Sequence, residues 1–291
     1  MSDPRNRPHI TVGVDPLKPS LLVLAWGADE AVQRHLAVRL LLAVPTEEHR
    51  DVAHREGTPH HRALRKRGAD SLEAAASFVR ARHPDLELTT HLIDGSPTLS
   101  LCHESAKAHM IVLGTRRLSR AEEILSGGSI VVPVTAQADC PVVVVSEPEH
   151  ITQDPPYLVV GVDGSVSSLA AVAQAMEEAS LRGAAVRAVW AWPRPVFAHG
   201  DESAGFNERR RLLSESTAGW ADKYSDVRLT HEVVRGHPVE ELARSSEHAL
   251  SVVVGRRGRG GYTGMRLGSV VHGLLHRAVC PVITVPTPPA K

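Results

Sequence analysis

The sequence has few aromatic residues, few cysteines, no excess charge of either sign and no long apolar run. Phe, Trp and Tyr make up 3% of the 291 residues, so the core has to be built from aliphatic side chains. Cys102, Cys140 and Cys280 are far apart without metal-ligand spacing, which is typical of reduced core residues in a cytoplasmic protein. The formal net charge is zero, so nothing attracts the whole chain to nucleic acid or to an anionic membrane. No run approaches the ~18–20 apolar residues of a membrane span, and no signal-peptide core follows the polar first residues.

Five short blocks occur twice along the chain in the same order. The paired blocks, first copy against second, are 9–15 and 157–163, 93–97 and 234–238, 110–114 and 252–255, 128–129 and 268–269, and 140–145 and 280–285. This order predicts a tandem duplication in which each copy is about one ordinary domain long. A polar, proline-marked linker separates the copies, and we place the domains at 1–147 and 155–291.

Apolar runs alternate with amphipathic stretches in both copies, a pattern typical of strands alternating with helices. We therefore predict an α/β fold of two tandem doubly wound domains, each a Rossmann-like, five-stranded parallel sheet with strand order 3-2-1-4-5. The predicted strands of the second copy are 157–162, 186–192, 227–234, 250–254 and 281–285. A later helix is predicted over 208–224, and the first helix is expected to place on one face Leu169, Val172, Ala173, Met176 and Ala179. In the first copy we predict a helix around 28–38 and a strand at 40–44.

A glycine-rich stretch, 255–269, lies between a buried strand and a helical pattern in the second copy. Glycines allow backbone N–H groups to approach an anion, and a helix start adds free N–H groups and a positive dipole end. Because ligands of doubly wound sheets bind where the strand order reverses, this loop should meet Asp163, which follows strand one. A flexible surface loop is the alternative. Arg256, Arg257, Arg259 and Arg266 could neutralise phosphate or form a solvated face.

Gly255-x-x-Gly258, followed by nine residues and Gly268-Ser269, resembles the nucleotide-binding signature of the universal stress protein family. Residues 160–165 resemble the opening strand of that family and 236–238 its Gly-x-Pro turn, so the resemblance covers nearly the whole chain as a tandem, actinobacterial-like form. It implies a fold of the adenine nucleotide alpha hydrolase-like group and a bound ATP, with or without Mg²⁺. The cofactor-binding residues that it implies are Asp163, Gly164, Ser165, Ala191, Gly255, Arg256, Arg257, Gly258, Gly268, Ser269, Val270 and Val271.

Each part of this site has an expected role. The resemblance implies that Asp163 accepts a hydrogen bond from the adenine end, with the end of strand two, 189–192, as a wall of the base pocket. It also implies that the glycine loop wraps the ribose and phosphates and that the helix start holds phosphate. Two alternatives stay open: Asp163 could simply cap the following turn or helix, and Ser269 could be only an N-cap.

The first copy departs from this pattern. Asp15, Gly114, Gly128 and Ser129 are retained as a weaker site, but Pro16 and Leu17 replace the Gly-Ser that follows Asp163. Arg117 stands where the second glycine should be, and Glu122 and Glu123 would repel phosphate. We predict that the first copy binds nucleotide weakly or not at all and that the second copy binds it.

The sequence favours a regulator over a dedicated enzyme. It has no Gly-x-x-x-x-Gly-Lys-Ser/Thr stretch and no Gly-x-Ser-x-Gly elbow, so at most slow ATP hydrolysis is expected. The resemblance implies a nucleotide-dependent regulator of stress adaptation that forms a homodimer through the last strands. The alternatives are a dimeric interaction scaffold that binds no nucleotide and a hydrolase of the adenine-binding α/β group. The histidines at 49, 54, 60 and 61 lack a recognised ligand spacing, so we predict no metal site.

Overall fold

The computed structural model describes residues 8–46, 58–115, 130–147, 150–192, 202–259 and 266–288. The chain divides into two compact units, Met1–Val145 and Ser146–Lys291. Both units alternate strands with helices, which confirms the predicted α/β class. Because each unit folds on its own strands and helices, we describe them one at a time.

The first unit contains a sheet of five strands with the neighbour order β3-β2-β1-β4-β5. Its elements are β1 (His9–Gly13), α1 (Leu21–Arg34), β2 (Ala37–Val44), α2 (Pro59–Arg82), β3 (Leu88–Asp94), α3 (Pro97–Ser105), β4 (Met110–Thr115), α4 (Val131–Gln137) and β5 (Val142–Ser146). Strand β1 pairs in parallel with β2 and β4, and β2 pairs in parallel with β3. The central strands are buried along almost their whole length, as expected of a sheet with helices on both faces.

The second unit repeats this plan with the neighbour order β8-β7-β6-β9-β10. Its elements are β6 (Tyr157–Gly161), α5 (Val166–Arg182), β7 (Ala185–Trp192), α6 (Glu202–Ser216), α7 (Trp220–Lys223), β8 (Leu229–Arg235), α8 (Pro238–Ser245), β9 (Val252–Gly255), α9 (Ser269–Arg277) and β10 (Val282–Val285). All four neighbouring pairs are parallel. Strands β6 and β9 lie side by side, so the turn after β6 and the glycine loop after β9 start at the same edge of the sheet.

The first helix of the first unit lies earlier in the chain than predicted. It begins at Leu21, where the N-cap Ser20 accepts a hydrogen bond from the Val23 N–H at 3.5 Å, and it ends at Arg34. His35 adopts a left-handed conformation with φ of 55°, which stops the helix, and β2 starts at Ala37. The prediction of a helix around 28–38 was wrong because the apolar pattern continues across this turn into the strand.

Two predictions for the helices of the second unit were also wrong. The helix expected over 208–224 is divided into α6 and α7, because Gly219 between them has a φ of 79° and interrupts the α-helical path. Leu169 is 39% exposed and lies outside the buried face of α5, which includes Val172, Met176 and Ala179 as predicted, together with Ser168 and Ala171. Small side chains suit this face because α5 packs closely against β6 and β9.

The two units differ at the amino ends of their first strands, where His9 pairs with Ala37 in one unit and Tyr157 pairs with Ala185 in the other. In the first unit the His9 Nε2 lies 2.7 Å from a Glu104 carboxylate oxygen, and the Arg39 guanidinium donates to the same carboxylate. The hydrogen bond from His9 and the hydrogen bond and charge of Arg39 lower the pKa of Glu104 to about 2, against the opposing effect of burial. We call His9, Arg39 and Glu104 the ionic cluster.

In the second unit the residue that matches Glu104, seven positions after the proline at the start of the helix, is Ser245. The Arg187 guanidinium lies 3.6 Å from the centre of the Tyr157 ring, a cation–π contact. The Tyr157 hydroxyl donates to the Ser245 carbonyl oxygen at 3.2 Å. The two copies therefore fill the same position with an ion pair in one case and an aromatic ring in the other.

Candidate functional site

Asp163 joins the turn after β6 to the glycine loop after β9. Its Oδ1 accepts a hydrogen bond from the Ser165 N–H at 2.9 Å, within the turn that leads into α5. Its Oδ2 accepts one from the Arg259 N–H at 2.8 Å, although the two residues are 96 positions apart in the chain. The capping role left open for Asp163 is therefore present on one oxygen, and the other oxygen binds the loop.

Two serines that follow Asp163 hold α5 and the loop together. Ser165 is the N-cap of α5, since its Oγ accepts from the Ser168 N–H at 3.1 Å, and it also donates to the Arg257 carbonyl oxygen at 3.4 Å. The Ser167 Oγ accepts from the Arg257 N–H at 3.3 Å. Both backbone groups of Arg257 are thus bound by side chains at the start of α5.

The glycines at 255 and 258 stand where a side chain has no room. A Cβ at Gly255 would lie 2.5 Å from the backbone carbon of Ser167, and a Cβ at Gly258 would lie 2.5 Å from Asp163 Oδ2. Real Cβ atoms essentially never approach so closely, so these residues allow the loop to lie against the α5 turn. The spacing that resembles the family signature therefore has a steric reason in this fold.

The loop returns to the sheet edge at the start of α9. The Gly268 N–H donates to the Arg256 carbonyl oxygen at 2.9 Å, which closes the loop beneath the helix. Gly268, with φ of −73° and ψ of 151°, is the N-cap, and Ser269 is the first helical residue. The alternative in which Ser269 is the N-cap was wrong. A glycine cap contributes no side-chain acceptor, so it leaves the first N–H groups of α9 to other acceptors.

An aromatic wall stands beside the turn. Gly164 has a φ of 74°, and a Cβ there would lie 3.3 Å from the Trp190 ring and 3.5 Å from the Arg259 guanidinium. Trp190 is near the carboxyl end of β7 and only 8% exposed. Ala191 is the next residue of the strand, so its side chain points to the opposite face from Trp190.

The remaining predicted residues are distributed along the loop and the helix start. Arg257 and Arg259 are exposed, and the Arg257 Nε donates to the Arg266 carbonyl oxygen at 3.4 Å. Val270 is partly exposed, whereas the Val271 side chain is 1% exposed and packs into the core. Val271 can therefore present only its backbone to a ligand. The glycines at 260, 261 and 264 lie outside the described residues.

The first unit arranges its matching residues differently. Asp15 Oδ1 accepts from the Leu17 N–H at 2.7 Å and from the Lys18 N–H at 3.1 Å, both within its own turn. A Cβ at Gly114 would lie 2.8 Å from a methyl group of Val23, which is a side chain and not backbone. The predicted residues Gly128 and Ser129, together with Arg117, Glu122 and Glu123, lie outside the described residues.

The structure thus brings Asp163, Gly164, Ser165 and the 255–258 segment together at one edge of the second sheet, with Gly268 closing the loop. Ser167 and Trp190 also belong to this assembly, although neither was singled out as a site residue from the sequence. The run of hydroxyl side chains at 165, 167 and 168 directly after Asp163 was the available signal. Trp190 was named only as one of four residues at the end of the strand.

Other features of the described residues lie away from this assembly. Within the ranges that the structure covers, no group of three or more His, Cys, Asp or Glu side chains could hold a metal ion. His61 Nε2 lies 3.2 Å from Asp94, which is an ion-pair contact, and the histidines at 49 and 54 lie outside the described residues. A cavity of about 330 Å³ is lined by Trp192, Phe206 and neighbouring side chains at the carboxyl end of β7. None of the described helices is long and apolar enough to cross a membrane.

Fold and site together define a tandem α/β protein with a glycine loop at the strand edge of its second unit. The model of the universal stress protein family matches residues 6–146 and 157–286. The chain belongs to the universal stress protein family, as a form with two tandem domains.

Known proteins with similar chains agree with this assignment. A universal stress protein of Mycobacterium tuberculosis is 35% identical over 297 residues, covering 97% of this chain and 98% of the relative. A second one from the same organism is 30% identical over 321 residues and covers 100% and 99% of the two chains. The crystal structure of a universal stress protein from Archaeoglobus fulgidus matches with a TM-score of 0.70 at 16% identity, over 96% of each chain. This last match supports the fold alone.

Proposed function

We propose that the second unit binds an adenine nucleotide, ATP, and that the protein is a nucleotide-dependent regulator in stress adaptation. The observation that carries the proposal is the glycine loop held against the Asp163 turn, where a Cβ at Gly255 would meet the Ser167 backbone and a Cβ at Gly258 would meet the Asp163 carboxylate. The loop follows the carboxyl end of β9, where doubly wound folds bind ligands.

The residues present fit the phosphate end of such a ligand. The first turn of α9 follows a glycine cap, so its N–H groups and the positive end of the helix dipole are available to an anion. Arg257 and Arg259 are exposed beside the loop and would add positive charge. ATP, with or without Mg²⁺, would supply the anion, and Gly268, Ser269, Val270 and Val271 would hold it through their backbone.

The residues also fit the base end. A carboxylate has about four lone-pair sites, and those of Asp163 accept two backbone N–H groups, from Ser165 and Arg259. The carboxylate therefore retains acceptor capacity for the exocyclic amine of adenine. Trp190 offers an aromatic wall against Gly164, which suits a flat ring.

The rest of the proposal concerns the whole chain. The first unit would bind nucleotide weakly or not at all, because Pro16 and Leu17 replace the Gly-Ser pair that follows Asp163 and Arg117 stands where the second glycine should be. The protein would act in the cytoplasm as a homodimer, with nucleotide occupancy as its switch and at most slow hydrolysis. Its domains would span 1–147 and 155–291.

The test combines two measurements on the full chain. Mass spectrometry of small molecules released from the purified, unfolded protein should identify an adenine nucleotide. Titration of ATP into the stripped protein should show one site that Gly258→Ala weakens by about tenfold or more, the scale of one lost charge-assisted contact. Gly114→Ala, the matched change in the first unit, should leave the affinity unchanged. Absence of both co-purified nucleotide and ATP binding would overturn the proposal and favour the scaffold.

A further inference from the structure

The carboxylate of Asp163 contacts the loop at the point where the loop has no side chain of its own. Its Oδ2 accepts from the Arg259 N–H at 2.8 Å, and the same oxygen is 2.5 Å from the position of a Cβ at Gly258. A Cβ at residue 258 would therefore displace the carboxylate from its present position. The aspartate and the second glycine of the loop form one steric unit.

We propose that Asp163 is the positioning residue of the glycine loop, and that it couples the base end of the site to the phosphate end. Its carboxylate fastens the loop to the α5 turn, so a change at either end is transmitted to the other through one side chain. This inference rests on the proposed function for its ligands, but the fastening itself is a property of the protein alone.

Of the side-chain hydrogen bonds that hold the loop against the α5 turn, the one to Asp163 is the strongest. The two serine contacts to Arg257 are hydrogen bonds of neutral groups at 3.3 and 3.4 Å. The Asp163 contact to Arg259 is shorter and has an ionised acceptor, and such bonds are about twice as strong as neutral ones.

The first unit provides the contrast that the test needs. Asp15 follows the first strand as Asp163 does, but its Oδ1 accepts two N–H groups of its own turn, from Leu17 and Lys18. Replacing Asp15 removes a carboxylate from the same place in the fold. It leaves the contacts of the 255–259 segment untouched.

Limited trypsin digestion of the nucleotide-free full chain tests the fastening directly, because the loop carries cleavage sites at Arg256, Arg257 and Arg259. We expect Asp163→Ala to raise the rate of cleavage at these three sites by about tenfold, the effect of losing a hydrogen bond to a charged group. Asp15→Ala should leave that rate unchanged. Equal rates in wild type and Asp163→Ala would overturn the proposal.

Two further variants keep the test decisive if Asp163→Ala does not fold. Asp163→Asn retains the size of the side chain but replaces one acceptor oxygen with a donor, so cleavage should rise by a smaller factor. Gly258→Ala retains Asp163 but places a Cβ 2.5 Å from Oδ2, so the same sites should open. Cleavage at wild-type rates in both folded variants would contradict the proposal.

Binding of separate ligand parts tests the coupling. Tripolyphosphate, which has no base, should bind Asp163→Ala about tenfold more weakly than wild type if the carboxylate positions the loop. If adenosine binding falls and tripolyphosphate binding does not, Asp163 only recognises the base and the proposal is wrong. If wild type binds neither probe, the proposed function fails, and the digestion result still decides whether Asp163 fastens the loop.

Discussion

The aspartate after the first strand lies in turns of different length in the two copies. In the second unit the N-cap Ser165 follows two residues after Asp163, with one carboxylate oxygen bound to the Ser165 N–H and the other to the glycine loop. In the first unit the N-cap Ser20 follows five residues after Asp15, and Asp15 Oδ1 accepts from the N–H groups of Leu17 and Lys18 within this longer turn. The shorter turn of the second copy brings Ser165 and Ser167 directly against the loop.

The two copies also differ at the amino ends of their first strands, at the opposite edge of each sheet from the glycine loop. There the first unit has the buried ionic cluster, whereas the second unit has the Tyr157 ring against Arg187. The first copy therefore has an ion pair at this position where the second has an aromatic ring. Three predictions test this comparison.

The largest effect is expected from Glu104→Gln in the ionic cluster. The change leaves Arg39 buried without its ionised partner, and breaking a buried ion pair in this way costs about 3–5 kcal/mol. Ser245→Ala, at the matching place in the second unit, retains the backbone oxygen that Tyr157 uses and should change stability by less than about 0.5 kcal/mol. Denaturant unfolding of both variants measures the difference in stability. Similar losses of unfolding free energy would contradict the conclusion that the ionic cluster stabilises only the first unit.

Acid should weaken the first unit through the same carboxylate. The folded pKa of Glu104, about 2, lies below its ordinary value of 4.5, so its stabilising effect is complete above pH 4.5 and is lost as the pH falls towards 2. The stability gap between wild type and Glu104→Gln should therefore shrink by about 3 kcal/mol over this range. Unfolding curves at pH 5 and pH 2.5 measure it, and a gap that stays constant would show that Glu104 is not held ionised.

A smaller difference in stability is expected between substitutions at the first glycine of each loop, Gly255 in the second copy and Gly114 in the first. Gly255→Ala forces a Cβ against the backbone of Ser167, which cannot rotate away, and should cost about 2–3 kcal/mol of unfolding free energy. Gly114→Ala meets only a methyl group of Val23, which can shift, and should cost about 1 kcal/mol. Thermal or denaturant unfolding of the two variants measures these costs. Equal costs would contradict the steric requirement for glycine at 255.

Much of the fold follows from local sequence, whereas the contacts of the site do not. Apolar runs such as 252–254 predict buried strands because a strand between two helical layers has no polar face. The predicted helices around 28–38 and over 208–224 were wrong because of single residues. His35 and Gly219 turn the backbone to positive φ, and the local hydrophobicity does not change there. A left-handed residue is a property of one dihedral angle, and periodicity over several residues does not detect it.

The site was predictable in its residue types and not in its connections. The glycine spacing and Asp163 are visible in the sequence, and the predicted site residues were selected from these two features. The bond from Arg259 to Asp163 was not predictable, because its donor is a backbone N–H that every residue except proline possesses. Ser167 was missed for a related reason, since its Oγ accepts from a backbone group 90 residues away.

The close approach of Asp163 Oδ2 to residue 258 has a consequence for how these sequences change over generations. A side chain at 258 is barred only while the carboxylate occupies that space, and the carboxylate reaches the loop only while 258 is glycine. The two positions should therefore be inherited as a pair among tandem relatives. A lineage that loses the aspartate would no longer be selected against a larger residue in the loop, so the two losses should appear together.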